Sequence, residues 1–441
     1  MKKLSIRQIL QIQILAIFLL PTSGFAMSDE VAEKMMKRLS ELEAEVKYLK
    51  STQQEQKVKL EELPETMKTA EKKSDSLLSD WDWSIGGYAK LDVTTTNYSA
   101  GELAGNSNLR DAYVPGAIPV GGDREHNDTD FHVRESRINF KLKKDYEGHK
   151  LGAFLEMDFM ITPNGNERVS NSYTPRLRHY KFQFDNWVFG QTWSTFQDVS
   201  AMAENLAFFG PVDSSVFIRQ PLIRYTHQSD YGSFEFAIEN PETTVTPFGG
   251  GARIETDDGE MPDIVARYKY KKDWGHVALA GIVRRLSYAD NATNIDDDIV
   301  VGGGSLTGKI KIGERDDFRF VFNAGSGLGR YIGLNIVNGA VLDANGSLEA
   351  INSYGGNISY RHFWNDKWRS NATISGTVFD NDTNLTGLGV TEKIWSSHIN
   401  LLYSPVKKVT FGLEWLHAQR AIESGDKGDM DRFQFSAKYA F

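Results

Sequence analysis

The chain of 441 residues contains no cysteine. That single absence excludes disulfide frameworks, thiolate nucleophiles and cysteine-ligated metals. Uninterrupted apolar runs of about 20 residues, which a membrane-crossing helix needs, are also missing. A mean hydropathy of −0.42 fits their absence. No basic cluster stands out and the formal net charge is −9, so no nucleic-acid partner is expected. The 9 histidines show no i, i+4 spacing on a helical pattern, and neither a metal nor a cofactor is expected. Gly303 to Lys309 matches half of a phosphate-binding loop, but Ile310 stands where a Ser or Thr is required, and no Gly-x-Ser-x-Gly elbow occurs. The chain therefore reads as a non-enzyme. What remains is a large water-soluble domain, or a β-barrel with a polar interior.

The N-terminus carries Lys2, Lys3 and Arg7, then a mostly apolar run over 9–20, then Pro21-Thr22-Ser23-Gly24-Phe25-Ala26. This is the pattern of a cleaved signal peptide, 1–26, that sends the chain across the inner membrane. From Met35, apolar positions at Leu39, Leu42, Val46, Leu49, Leu60 and Leu63 step by four and three, passing through Gln53 and Gln56. That spacing predicts a periplasmic α-helical coiled coil over 27–64, ended by Pro64, and leaves open whether two or three helices pair. Residues 65–80 read as a charged linker.

After Trp81 the period becomes two. Trp83, Ile85, Ala89, Leu91 and Val93 take one face and Ser84, Tyr88, Lys90 and Asp92 the other. The alternation recurs through sixteen candidate strands, near 82–97, 130–143, 149–160, 176–185, 187–194, 218–228, 232–240, 263–272, 275–288, 299–312, 317–325, 349–362, 368–380, 392–404, 408–422 and 431–441. Short and long connections alternate between them. That rhythm predicts an all-β fold over 81–441, a 16-stranded antiparallel transmembrane β-barrel with tight turns at one rim. Trp83, Trp187, Trp274, Trp364 and Trp368 lie beside the chain start or the short turns, where an aromatic girdle would sit. The final strand alternates Phe433, Phe435, Ala437, Tyr439 and Phe441 with mostly polar residues, and resembles the closing strand of outer-membrane proteins. Its outer face would meet outer-membrane lipid and lipopolysaccharide.

The same alternation assigns the lumen. Its basic candidates are Lys90, Arg137, Arg178, Arg224, Arg267, Arg284, Arg319 and Arg361, with Arg369 nearby in kind; Asp92, Glu156, Asp158 and Glu414 share the inward parity. Arg176 and Arg178 conflict in parity with Phe182 and Phe184, and either a bulge or a subunit contact would resolve the conflict. Acidic runs at 123–130, 255–260 and 296–298 are expected in long loops. The connection 195–217 is unusually apolar, with Met202, Leu206, Phe208 and Phe209. It is expected to fold into the barrel and narrow it, presenting Asp198, Glu204 and Asp213 as the acidic side of a constriction.

Gly190-Gln191-Thr192-Trp193-Ser194-Thr195-Phe196, Phe209-Gly210-Pro211, Arg219-Gln220-Pro221 and Arg224-Tyr225-Thr226 resemble the DcaP-like porins. Glu156-Met157-Asp158-Phe159, Arg176-Leu177-Arg178-His179 and Gly275-His276 through Arg284-Arg285-Leu286 are similar to further segments of that family. The resemblance implies a homotrimer of barrels in the Gram-negative outer membrane, passing small anionic solutes such as dicarboxylates or aromatic acids. Tyr180 and Lys181 depart from the family pattern. Two rival readings stand beside the passive pore: a barrel hydrolase, which would need a Ser-His pair on neighbouring outward strands, and a tether gripping a periplasmic partner or the cell wall through its coiled coil.

Overall fold

The computed structural model describes residues 80–441 apart from 105, 106, 163 and 257, together with the isolated positions 44 and 47. The expected signal peptide (1–26), coiled coil (27–64) and linker (65–80, save its last residue) otherwise lie outside the described residues. The barrel strands are β1 (Asp82–Tyr98), β2 in two halves (His126–His132 and Arg137–Tyr146), β3 (His149–Asp158), β4 (Arg176–Phe184), β5 (Trp187–Trp193), β6 (Arg219–Ser229), β7 (Gly232–Glu239) and β8 (Asp263–Lys272). They continue as β9 (Gly275–Asp290), β10 (Ile295–Ile312), β11 (Asp316–Ser326), β12 (Asn352–Phe363), β13 (Trp368–Asp380), β14 (Thr391–Val406), β15 (Val409–Ile422) and β16 (Lys427–Ala440). Each pairs antiparallel with the next, and β16 returns to β1 in register from Tyr88↔Ala440 to Tyr98↔Met430. The ring is closed, so no strand edge is left for lipid to satisfy.

All sixteen expected strands are present, with changed ends. β2, β10 and β16 begin about four residues earlier than their apolar patterning suggests. The acidic runs expected in loops therefore fall partly on strands: 126–130 opens β2 and 296–298 lies in β10. These strands run past the apolar band, where both faces are polar and alternation of hydrophobicity gives no signal.

Side-chain burial follows the period of two with the usual soluble order inverted. On β16, Phe433, Phe435 and Tyr439 are 64%, 37% and 52% exposed on the outside, while Arg432, Gln434 and Ser436 are 1%, 6% and 2% exposed on the inside. At the short-turn rim, the turn between the second half of β2 and β3 needs only Glu147 and Gly148, at φ of 52° and 85°. Two successive positive φ values make the turn whose twist matches paired strands. Trp83, Trp187, Trp274, Trp364 and Trp368 all stand exposed at this rim.

The long-loop half is filled. Tyr113, Ile118, Met160, Phe209, Val212 and Val337 from four of the long connections pack with Phe379, Leu416 and Met430 of the wall in one buried apolar cluster. The connection that holds Val337 and one further connection build a four-stranded sheet from Thr243–Thr246, Ile254–Thr256, Ala340–Leu342 and Leu348–Ala350. Burial in these clusters accounts for the apolar composition of the 194–218 connection, which otherwise would expose a greasy patch.

Candidate pore lining and inner loop

The connection 194–218, between β5 and β6, is irregular, so its main-chain groups need partners that no strand ladder supplies. The inner wall provides them. Arg267 donates to the carbonyl oxygen of Gln197 and Arg319 to that of Met202. Lys90 Nζ and Gln434 Nε2 reach the Leu206 carbonyl oxygen at 3.0 and 3.1 Å. Glu414 accepts from the amides of Leu206 and Ala207 at 2.7 and 3.1 Å and from Asn400 Nδ2 at 3.0 Å. Asn323 Nδ2 and Thr377 Oγ1 each donate at 2.7 Å, to the Ser214 and Asp213 carbonyl oxygens. The loop is thus bonded to inward side chains of β1, β8, β11, β13, β14, β15 and β16.

Its three acids are held in the same way. Asp198 accepts from Ser200 N to cap a helical turn, and its carboxylate meets Lys269 Nζ at 2.6 Å and His276 Nε2 at 2.7 Å. Burial pushes this carboxyl up, but hydrogen bonds from His276 and Lys269 and the Lys269 charge outweigh it, holding Asp198 well below the usual carboxylate range. Glu204 receives Arg369 in a bidentate pair, with Nη2 at 2.7 Å and Nε at 2.9 Å, and Arg361 Nη1 at 2.8 Å. Burial again opposes, yet the Arg369 and Arg361 bonds and charges pull Glu204 down to about 2. Asp213 is 0% exposed and accepts from Ser396 Oγ at 2.8 Å; burial pushes its carboxyl up, and hydroxyl bonds and the nearby His398 offset this only in part. Asp198 and Glu204 are used up in these bonds and Asp213 is fully buried, so the three have little surface left for a solute.

Seven of the eight basic candidates make ion pairs, all but Arg224, and five of these seven lie outside the wall from β2 to β6. Lys90 pairs with Glu135 and with Asp92 at 3.2 Å. Arg267 pairs with Glu235, Arg319 with Asp317 at 2.6 Å, and Arg361 with Asp317 and Glu204. Arg284, 2% exposed, pairs with Asp263 at 3.0 Å and donates to the Gly327 and Glu242 carbonyl oxygens, fastening two other loops.

The wall from β2 to β6 differs. Glu156 and Asp158 accept from Arg178 at 2.8 and 2.5 Å, and Arg176 forks onto Asp158 with two bonds of 2.9 Å. The parity conflict is resolved by a β-bulge: Glu156 pairs with His179 and Met157 with Leu177, leaving Arg178 extra, so Arg178 and His179 both turn inward. Arg178, Arg176 and Arg137 stand 5.4, 5.6 and 6.0 Å from the centre of the Phe208 ring. Arg219 lies over Trp193 at 4.4 Å and Phe217 at 5.7 Å, and its Nη1 has no hydrogen-bond partner among the described residues. Arg224 reaches Thr195 Oγ1 at 3.5 Å, the limit of a hydrogen bond. Toward the short turns, Lys141, Lys143, Lys150 and Lys181 line a hollow of about 730 Å³ with Asp82, Asp145, Phe154 and Gln183.

Arg219 and these four lysines were absent from the sequence-level site. The parity that selects Arg137 also selects Lys141 and Lys143, so that signal existed; Lys181 was hidden by the bulge, and Arg219 by its place where a loop becomes a strand.

A family model described as DcaP outer membrane protein matches residues 27–441. The chain belongs to this family. No curated protein matches the chain. Among solved structures, the crystal structure of the outer membrane channel DcaP of Acinetobacter baumannii superposes with a TM-score of 0.67 at 18% identity, covering 82% of this chain and 98% of that one. OmpT of Vibrio cholerae in its trimer form follows at a TM-score of 0.52 and 11% identity, covering 82% and 100%. OmpF of Salmonella typhi in complex with daunomycin gives 0.50 and 11%, covering 81% and 97%. At these identities the likenesses establish the fold: a 16-stranded barrel of the outer-membrane type.

Proposed function

We propose that this chain forms a homotrimeric outer-membrane channel for passive diffusion of small anionic solutes, of the dicarboxylate or aromatic-acid type. The 194–218 loop narrows the lumen, and solutes pass along the wall from β2 to β6. One observation carries the reading: Lys90, Arg267, Lys269, Arg319, Arg361 and Arg369 of the remaining wall are bonded to the inner loop, whereas Arg219, Arg224 and Lys181 on the β2–β6 wall make no ion pair among the described residues. Such groups raise the local anion concentration inside a low-dielectric wall even though the whole chain is acidic. Phe208 and Trp193 beside the guanidinium groups favour an aromatic ring that carries a carboxylate. Membership of the DcaP family and the trimer form of OmpT support the channel and trimer readings.

Reversal potentials of single channels in planar bilayers under a salt gradient test the selectivity. Anion preference is expected, reduced in Arg219→Ala and Arg224→Ala; cation preference in the unaltered protein would overturn the proposal. Removing 27–80 separates assembly from anchoring: loss of trimers assigns that segment to assembly, and loss of cell-wall association with trimers intact assigns it to tethering.

A further inference from the structure

A second constellation lies within the long-loop half, away from the β2–β6 cations. Asp130 and His132 are two residues apart on the first half of β2, so both project inward. Asp111, at the end of the short helical turn Asn108–Asp111, packs onto them. One ligand-capable atom of each residue lies within 4.8 Å of those of the other two. Asp111, Asp130 and His132 are only 5%, 8% and 6% exposed.

His132 Nε2 sits 3.1 Å from the main-chain carbonyl oxygen of Asp111. A carbonyl oxygen can only accept, so Nε2 carries the proton and a neutral ring presents its lone pair at Nδ1. That Nδ1 and Asp130 Oδ2 have no hydrogen-bond partner among the described residues. Arg134 donates to Asp111 Oδ2 and is shared with Glu167 and Tyr173. A buried carboxylate oxygen and a buried imidazole lone pair in one cluster, both unsatisfied, are costly. One cation satisfies both.

We propose that Asp111, Asp130 and His132 bind a first-row divalent transition-metal ion. Two carboxylates and one imidazole form a donor set suited to Zn²⁺ or Mn²⁺, whereas Ca²⁺ and Mg²⁺ take oxygen-only sets. The Nε2 bond to a carbonyl is the outer-shell contact that orients a metal-ligating histidine. Three protein ligands leave a coordination position for water. The ion clips the first long connection to β2, beside the break at 133–136.

Full-length protein in detergent, stripped with EDTA and dialysed against Zn²⁺, tests the site by elemental analysis. About one ion per chain is expected in excess over the Asp130→Asn/His132→Gln double variant, with heat-modifiable gel migration confirming that both are folded. Co²⁺ should give visible d–d absorption in the unaltered protein alone, and EDTA should lower the thermal midpoint of the unaltered protein alone. Stripped wild-type protein that takes up no more Zn²⁺ than the double variant overturns the proposal and leaves two carboxyls sharing a proton.

Discussion

Glu204 illustrates what alternation can and cannot disclose. Parity identifies Arg361 as inward, but whether an inward arginine meets water or a loop depends on which segment returns to it, and no local pattern encodes that. Because Arg369 and Arg361 hold Glu204 down to about 2 from its ordinary 4.5, its contribution to anchoring the loop is present above pH 4.5 and lost as pH falls toward 2. Channel current is therefore expected to be steady from pH 7 to about 5 and to become noisy below about 3 in bilayer recordings; Glu204→Gln should show that noise at pH 7. Arg219 and Arg284 make a contrasting pair. Arg219→Ala should weaken anion preference with little change in stability. Arg284→Ala strands the buried Asp263 and is expected to cost about 3–5 kcal/mol in urea unfolding, with selectivity changed little.

At the scale of the strand, the period of two was legible wherever one face meets lipid and the other water. It failed at three kinds of place, each with a physical cause. Strand tops beyond the apolar band are polar on both faces. The bulge at Arg178–His179 shifts parity by one, hiding Lys181 while leaving Phe182 and Phe184 outward. The pair Asp130 and His132 escaped a search for helical i, i+4 histidines because ligands on a strand recur at i, i+2. The outer face of β16 gives a direct measure of the inverted burial: Phe435→Lys should lower stability in phospholipid by about 2–4 kcal/mol if that site lies near the membrane midplane. Lys438→Gln on the same strand, facing inward, should leave the refolding midpoint nearly unchanged.

For the molecule as a whole, residues 80–441 form one ring with long connections folded inward. The closed barrel and strand count could be read from the sequence because they repeat one simple rule sixteen times. The division of the lumen into a wall that grips the loop and a wall with unpaired cations could not, since it arises from contacts such as Glu204 with Arg369, 165 residues apart. Deleting 199–214 should raise single-channel conductance and reduce selectivity, while leaving a heat-modifiable barrel. The seam between β1 and β16 also bears on how the protein is made. Tyr88 finds its partner in Ala440, across the seam between the first and the sixteenth strand, so until β16 docks, β1 keeps an unpaired edge. Ring closure is the longest-range contact in the barrel, and contacts of that separation form slowly. The ring cannot close until β16 meets β1, and before that both strands offer edges on which neighbouring chains would pair, so the open sheet has to be kept from associating.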